Sequence, residues 1–327
     1  MLTGGTPSAS GGGGVFPALL PGGITLTGID TGAAGQPLAS VAAAPATRAP
    51  GSRLPVVLLL HGFPEAAFAW EPVIERLRGQ ARCVAPNLRG YAGSSAPSDV
   101  RAYRARPLVA DLEALIDLIG APVDLVLAHD WGGALAWNLA VLSPQRLRRL
   151  MILNAPHPAT FLRELRGSPQ QQAASAYMNF LCRPDAASLL AEDDFRRLWP
   201  FFTNMGAADP QRPGGGWLTE ALRERYREVW RAGLDGPLNY YRASPLRPAT
   251  SAADPIHGIV FPDEAVTVRL PTTVLWGEAD TALPAGLLEG LEHWVPQLDL
   301  QRVPEATHWI AHEQPDRVAQ AVLRLLG

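Results

Sequence analysis

Short apolar runs alternate with amphipathic segments along the chain from residue 56 onward. Apolar runs of this length, without polar alternation, are typical of strands buried on both faces of a parallel sheet. Between two of them, the stretch 107–120 repeats leucine and isoleucine at the spacing of one helical face. We therefore predict an α/β fold with a mostly parallel central sheet. The predicted strands are 56–60, 82–86, 123–128, 149–154, 272–276 and 298–303.

The N-terminal region has a different pattern. Residues 1–23 are rich in Gly and Pro, and we expect a disordered tail there. The alternating segments 24–30 and 37–44 flank a Gly-containing stretch, which predicts an antiparallel hairpin. No charged segment followed by a long apolar run resembles a secretory signal, and no run approaches the ~20 apolar residues of a membrane span. We therefore expect a cytoplasmic protein without membrane contacts.

The strand rhythm stops after Asn154 and resumes at Thr272. The residues between them have helical patterns and many aromatic side chains. An insertion near the carboxyl ends of parallel strands lies over the place where open α/β sheets bind ligands. We expect a helical cap over 157–262 and an α/β core made of 24–156 and 263–327. A separate stabilising domain is the alternative that composition leaves open.

Composition excludes several classes of function. The formal net charge is −3, so no basic face for nucleic acid is expected. All 28 basic residues are Arg, which excludes mechanisms that need a Schiff-base or P-loop lysine. Cys83 and Cys182 lack CxxC spacing, and His312 follows His308 without a third nearby ligand. We expect neither a metal nor a cofactor, and a small molecule as partner.

The segment 123–137 contains a strand, a sharp turn and a helix, with Asp130 at the turn and Gly132 and Gly133 after it. This arrangement is typical of a nucleophile elbow, in which the turn residue projects into the site. A carboxylate nucleophile attacks saturated carbon and forms an ester on the enzyme. The alternative is that Asp130 caps the helix.

The segment HGFP at 61–64 ends another predicted strand. Such a turn directs backbone N–H groups toward the elbow, so we predict that the amides of Phe63 and Trp131 stabilise an oxyanion. His61 itself is interpreted as a structural residue.

Asp280 and His308 each follow a predicted strand near the end of the chain. Together with Asp130, they have the order nucleophile, acid, histidine that is expected of a catalytic triad on this kind of scaffold. The predicted role of Asp280 is to orient the imidazole, and that of His308 is to activate water.

From about residue 24 to its end, the chain resembles the epoxide hydrolase branch of the α/β-hydrolase superfamily. The resemblance implies the α/β-hydrolase fold and assigns the nucleophile, acid and base to Asp130, Asp280 and His308. Thr307 departs from the Gly that usually precedes the histidine. The motifs are HGFPEAAFAW, APNLRGYAGSSAP, AHDWGGALAW, LNAPHP, GPLNYYRA, WGEAD and THWIAHEQPD.

The resemblance also implies two cap tyrosines that hold the epoxide oxygen and protonate it. One is the last Tyr of a segment like NYYR, which is Tyr241 here. The other lies seven residues before a Pro, which places Tyr177 before Pro184. Tyr226 and Tyr240 are interpreted as aromatic residues of the cap interior.

The expected activity is therefore hydrolysis of a small apolar epoxide to a vicinal diol through an aspartyl ester. The alternatives are a haloalkane or fluoroacetate dehalogenase that uses the same Asp, and a binding module without catalysis. Trp131 also occurs in haloalkane dehalogenases, but Phe63 stands where those enzymes commonly have Asn or Glu. The stretch DWGGA lacks the arginines of the DRGGR pattern in fluoroacetate dehalogenases. The oligomeric state is left open.

Overall fold

The computed structural model describes residues 14–32 and 53–327. In this part of the chain, eight strands form one sheet in the order β1-β2-β4-β3-β5-β6-β7-β8. The two N-terminal strands are antiparallel to their neighbours, and the remaining strands pair in parallel. The strands are β1 (Gly14–Leu19), β2 (Thr25–Asp30), β3 (Val56–Leu60), β4 (Arg82–Pro86), β5 (Leu125–His129), β6 (Leu150–Leu153), β7 (Thr272–Gly277) and β8 (Leu298–Val303).

The central strands are largely apolar because helices cover both faces of the sheet. Every residue of β3, β5 and β6 is buried. The α/β prediction with a mostly parallel sheet is confirmed, and the strands at 56–60, 82–86 and 298–303 have the predicted bounds.

The helices follow the strands in the order expected of this architecture. Leu108, Leu112, Leu115, Ile116 and Ile119 form the buried face of α2, as the sequence pattern predicted. The α-helices are α1 (Glu71–Leu77), α2 (Ala105–Ile119), α3 (Asp130–Leu142), α4 (Pro158–Gly167), α5 (Pro169–Ala174), α6 (Tyr177–Leu181), α7 (Ala186–Phe195), α8 (Pro200–Thr203), α9 (Glu220–Arg231), α10 (Asp235–Ala243), α11 (Ile310–Glu313) and α12 (Pro315–Leu326). None of the helices in the described ranges is long and apolar enough to cross a membrane.

The N-terminal prediction needs a correction. Residues from Gly14 onward do not form a disordered tail, because Gly14–Leu19 is the edge strand β1 and pairs with β2. Buried and exposed side chains alternate along this strand: Phe16 and Ala18 are buried, and Val15 and Leu19 are exposed. The Pro and Gly content concealed this period-two pattern. Residues 1–13 and the predicted partner strand 37–44 lie outside the described residues.

The segment between β6 and β7 contains the helices α4 to α10, which we call the helical insert. An aromatic cluster joins the insert to the core. Phe202 stacks on Trp309 at a ring distance of 4.4 Å, and Trp230 Nε1 donates to the carbonyl of Pro64 at 2.8 Å. These contacts hold the insert against the carboxyl ends of the central strands, where Pro64 and Trp309 follow β3 and β8.

Candidate active site

Asp130 is the first residue of α3, directly after β5, and its φ is +49°. This left-handed conformation is uncommon for a residue with a side chain, and it produces the sharp turn between strand and helix. A Cβ at Gly132 would lie 2.3 Å from the carbonyl oxygen of Leu60, and one at Gly133 would lie 2.2 Å from Ala155 Cβ. The two glycines therefore allow α3 to pack directly against the ends of neighbouring strands.

The turn after β3 lies against the Asp130 carboxylate. The amide of Phe63 donates a hydrogen bond of 2.7 Å to Asp130 Oδ1. A Cβ at Gly62 would lie 2.1 Å from the same oxygen, so this position has no room for a side chain. Trp131 is the second residue of α3, and an amide at this position has no partner in the helix's own hydrogen-bond ladder. Both amides predicted from the sequence thus adjoin Asp130, and the structure shows the first bonded to its carboxylate.

His308 and Asp280 form a buried pair. His308 Nδ1 donates to Asp280 Oδ2 at 2.8 Å. The other carboxylate oxygen of Asp280 accepts from the amides of Ala282 and Leu283, at 2.8 and 2.9 Å. His308 Nε2 lies 3.7 Å from Asp130 Oδ2, which is beyond a direct hydrogen bond. Asp280 therefore fixes the imidazole of His308 through Nδ1. The other nitrogen, Nε2, is available to bind a molecule that enters the site.

The charges around His308 control its protonation. Burial alone would lower the pKa of this imidazole. The Asp280 carboxylate, through its charge and its hydrogen bond, opposes that effect together with the charges of Asp130 and Glu65. The result is a His308 pKa raised to about 9.

Asn154 is a residue of this site that the sequence analysis did not identify. It follows β6 with a φ of +36° and is fully buried. Its Nδ2 donates to Asp280 Oδ2 at 2.8 Å, and its Oδ1 accepts from the amide of Gly277 at 2.8 Å. Asn154 therefore fixes the carboxylate that holds His308. The sequence feature that could have identified Asn154 is its position: it is a polar residue directly after a buried strand, within the LNAPHP motif.

A second buried carboxylate lies behind the site. Glu65 Oε1 accepts from His312 Nε2 and from the Tyr226 hydroxyl, each at 2.7 Å. Burial would raise the pKa of Glu65, but the charge and hydrogen bond of His312 hold it well below its usual range, together with His129, whose Nδ1 lies 3.6 Å from Glu65 Oε2. His129 Nε2 donates to the carbonyl of His308 at 2.8 Å, which links this network to the backbone of the histidine.

His61 is a buried structural residue in this geometry. The amide of Leu88 donates to its Nε2 at 3.1 Å, and its Nδ1 donates to the carbonyl of Gly62 at 3.0 Å. Burial lowers the pKa of His61 to about 4, so the ring is neutral. These contacts agree with the structural role predicted for it.

A cavity of about 550 Å³ opens over Asp130. Tyr177 and Tyr241, from two helices of the insert, line it together with Asp130 and Trp131. The two phenol rings lie 6.2 Å apart between centroids, and the Tyr241 ring packs edge-on against Trp131 at 5.0 Å. The structure thus brings both predicted tyrosines and Asp130 to the same cavity.

Burial, reinforced by nearby negative charge, raises the pKa of Tyr177 and Tyr241 far above the ordinary value of a phenol. Both hydroxyls therefore stay protonated at neutral pH and are available as donors. Two other tyrosines are bonded inside the protein instead: the Tyr240 hydroxyl donates to the carbonyl of Arg89, and the Tyr226 hydroxyl donates to Glu65. Within residues 14–32 and 53–327, no group of three or more His, Cys, Asp or Glu residues is placed to hold a metal ion.

Comparison with known proteins gives consistent matches. A family model described as alpha/beta hydrolase fold matches residues 55–315. Epoxide hydrolase 4 of Mus musculus is 31% identical over 272 residues, which cover 81% of this chain and 70% of that protein. Epoxide hydrolase 3 of Xenopus tropicalis is 32% identical over 274 residues, covering 83% and 71%. The crystal structure of Bacillus megaterium epoxide hydrolase with an inhibitor matches with a TM-score of 0.79 and 28% identity, covering 95% of this chain and 99% of that one.

Proposed function

The chain belongs to the epoxide hydrolase family of the α/β-hydrolase fold, and from its site we propose that it hydrolyses an epoxide to a vicinal diol through an ester on Asp130. One observation carries the proposal: the Asp130 carboxylate and the phenols of Tyr177 and Tyr241 line the same cavity. A nucleophile and two protonated donors are the groups that epoxide opening needs, since an alkoxide is a poor leaving group.

In the first step, an oxygen of Asp130 attacks an oxirane carbon, and the carbon–oxygen bond of the ring breaks. The departing oxygen takes a proton from one of the two phenols, while the other stabilises it by a hydrogen bond. The products are a hydroxyalkyl ester on Asp130 and a tyrosinate. Tyr177 and Tyr241 are suited to this role because burial keeps their hydroxyls protonated until the oxygen develops charge.

In the second step, His308 takes a proton from a water molecule that attacks the carboxyl carbon of the ester. The hydrogen bond of 2.8 Å to Asp280 fixes the ring, so Nε2 is the nitrogen that accepts the proton. The tetrahedral intermediate collapses to the Asp130 carboxylate and the diol, and the proton on His308 returns through solvent to the tyrosinate.

The amides of Phe63 and Trp131 stabilise the oxyanion of that intermediate. The Phe63 amide already lies 2.7 Å from Asp130 Oδ1, so this donor does not have to be rearranged during the reaction. In the tetrahedral intermediate, the negative charge develops on Oδ1, the oxygen that the Phe63 amide contacts.

The helical insert, within the predicted cap 157–262, closes the site from above. It supplies Tyr177 and Tyr241, and Phe201 of the insert packs edge-on against Phe63 at 5.7 Å. A cap of this kind keeps bulk water from the ester until His308 directs a single molecule to it.

A paired assay tests the proposal. The protein is offered aromatic and aliphatic epoxides in one set of reactions and chloroalkanes and fluoroacetate in another, with diol and halide measured separately. We expect diol release as the main activity. Halide release without diol would make the protein a dehalogenase, and saturable binding without turnover would make it a binding module.

A further inference from the structure

Helix α9 of the insert lies against the loop that carries the Phe63 amide. Trp230 Nε1 donates a hydrogen bond of 2.8 Å to the carbonyl of Pro64, and both residues are buried. Tyr226, one helical turn earlier in α9, donates a hydrogen bond of 2.7 Å to the side chain of Glu65. The spacing of the two donors places them on one face of the helix. The two residues that follow Phe63 are therefore both held by α9.

An ion pair fixes α9 against the core. The guanidinium of Arg225 donates hydrogen bonds of 2.6 and 2.7 Å to the carboxylate of Glu71, the first residue of α1. It also lies over the ring of Phe68, 4.4 Å from the centroid. A pair of parallel hydrogen bonds restrains orientation as well as distance. Trp230 therefore reaches Pro64 from a helix whose position relative to the core is restrained.

The loop that contains Phe63 has no regular structure of its own, because residues 61–66 belong to neither a helix nor a strand. On the core side, the carbonyl of Gly62 accepts hydrogen bonds from His61 Nδ1 and from the amide of Glu65, each at 3.0 Å. On the insert side, the ring of Pro64 blocks one of the backbone rotations between the Phe63 amide and the Pro64 carbonyl. A displacement of this carbonyl is therefore expected to move the amide as well.

The charge on Asp130 Oδ1 changes in opposite directions in the two proposed steps. When Asp130 is alkylated, its carboxylate loses negative charge. When water attacks the ester, the oxygen that contacts the Phe63 amide gains negative charge. A hydrogen-bond donor accelerates only a step in which its interaction becomes stronger in the transition state. The exact position of the Phe63 amide therefore matters for hydrolysis of the ester and not for attack on the epoxide.

From these contacts we propose that Trp230 is a positioning residue for ester hydrolysis. Its hydrogen bond to the Pro64 carbonyl holds the Phe63 amide at the oxygen on which charge develops. This inference rests on the proposed function, because it assigns the ester to Asp130. The insert then has a second role besides supplying its two tyrosines: it fixes the position of a donor that belongs to the core.

The test is Trp230→Phe, which removes the indole N–H. Rapid mixing with an accepted epoxide, acid quenching and intact-mass measurement follow the alkylated protein as it forms and as it decays. Loss of an oxyanion donor costs about a hundredfold or more, so we expect a displaced donor to slow the decay by about tenfold. The rate at which the ester forms should stay unchanged. Decay at the unmodified rate, or formation and decay slowed to the same extent, would overturn the inference.

Two further proteins separate the hydrogen bond from packing. Benzothienylalanine at position 230 has the shape of tryptophan but no N–H, and we expect it to slow the decay as Trp230→Phe does. Unmodified decay with this isostere would overturn the inference, because the effect of Phe would then come from lost packing. Trp294→Phe is the matched control, since Trp294 Nε1 donates to Asp263, away from the loop. Both rates should be retained in this control.

A measurement without substrate distinguishes this inference from the proposed function. The amide proton of Phe63, observed by NMR with phenylalanine labelled with heavy nitrogen, reports its hydrogen bond to Asp130. We expect Trp230→Phe to shift this signal upfield and Trp294→Phe to leave it in place. If the signal shifts but the unmodified protein turns over no epoxide, Trp230 still positions the amide and the proposed function fails. An unshifted signal would overturn the inference and leave epoxide hydrolysis intact.

Discussion

The backbone amide of Phe63 donates a hydrogen bond of 2.7 Å to Oδ1 of Asp130. This contact distinguishes the two carboxylate oxygens, because Oδ2 lies on the side of His308 Nε2, at 3.7 Å. An oxygen that already accepts a hydrogen bond is the weaker nucleophile. In the proposed reaction, Oδ2 therefore attacks the epoxide, and Oδ1 becomes the ester carbonyl that the Phe63 amide polarises.

Gly62→Ala tests this placement of the carboxylate. The added Cβ would lie 2.1 Å from Asp130 Oδ1, so the carboxylate has to move. A displacement of about 1 Å at a reacting group costs about a hundredfold in rate, and we expect kcat to fall by that order. Gly167→Ala is the matched control, because nothing lies within 4 Å of its added Cβ. Full activity of Gly62→Ala would contradict the assigned position of Oδ1.

His308→Gln is expected to separate the two steps. The variant retains the nucleophile and both phenols, so alkylation of Asp130 continues, but no base activates water. Intact-mass measurement after incubation with an accepted epoxide should show the protein with the substrate mass added. The same treatment of His308→Gln combined with Asp130→Ala should leave the mass unchanged. An unmodified single variant would argue against the role of His308 in ester hydrolysis.

The two phenols are expected to contribute separately to ring opening. Replacing Tyr177 or Tyr241 by Phe should lower kcat/KM for epoxides by about a hundredfold, and the double change should abolish turnover, since a positioned proton donor contributes about 10²-fold or more. Tyr240→Phe is the control, because the hydroxyl of Tyr240 is bonded to the Arg89 carbonyl. Epoxide turnover that survives the double change would show that other groups protonate the oxygen.

The rate of ester hydrolysis should rise with pH. His308 acts as a base only when it is neutral, and its pKa is raised to about 9 in the resting protein. Alkylation removes the negative charge of Asp130, one of the charges that raise this pKa, so the midpoint in the intermediate should lie below about 9. Single-turnover rates across the neutral and alkaline range measure it. Asp280→Asn removes a second negative charge and should move the midpoint lower still, and a rate that falls with rising pH would contradict the assignment.

The sequence was sufficient to predict the elements with simple patterns. The apolar run at 56–60 corresponds to a strand with those bounds because burial on both faces leaves no polar positions. The strand at 298–303 also has the predicted bounds, although it contains Asp299, Gln301 and Arg302 and only Val303 is buried. The residues around Asp130 were predictable for a different reason. A strand, a sharp turn and two glycines impose a backbone geometry that few other arrangements of residues require.

Other features depend on contacts between distant segments and could not be predicted from local pattern. Asn154 acts through Asp280, which lies 126 positions later in the chain. The buried Glu65 carboxylate accepts a hydrogen bond from His312, which lies 247 positions away. The strand Gly14–Leu19 was not predicted, because the glycine and proline residues of this region suggested a disordered tail. The alternation of exposed and buried side chains in this strand depends on its pairing with β2.

The central claim is that Asp130 forms a covalent ester whose carbonyl carbon is attacked by water. A single turnover in heavy-oxygen water, with the enzyme in excess over an accepted epoxide, tests it most directly. Because the new oxygen enters the carboxylate, the first diol should be unlabelled, and the peptide that contains Asp130 should gain one heavy oxygen by mass spectrometry. A labelled diol from that first turnover, with an unlabelled Asp130 peptide, would show that water attacks the epoxide directly and would contradict the account.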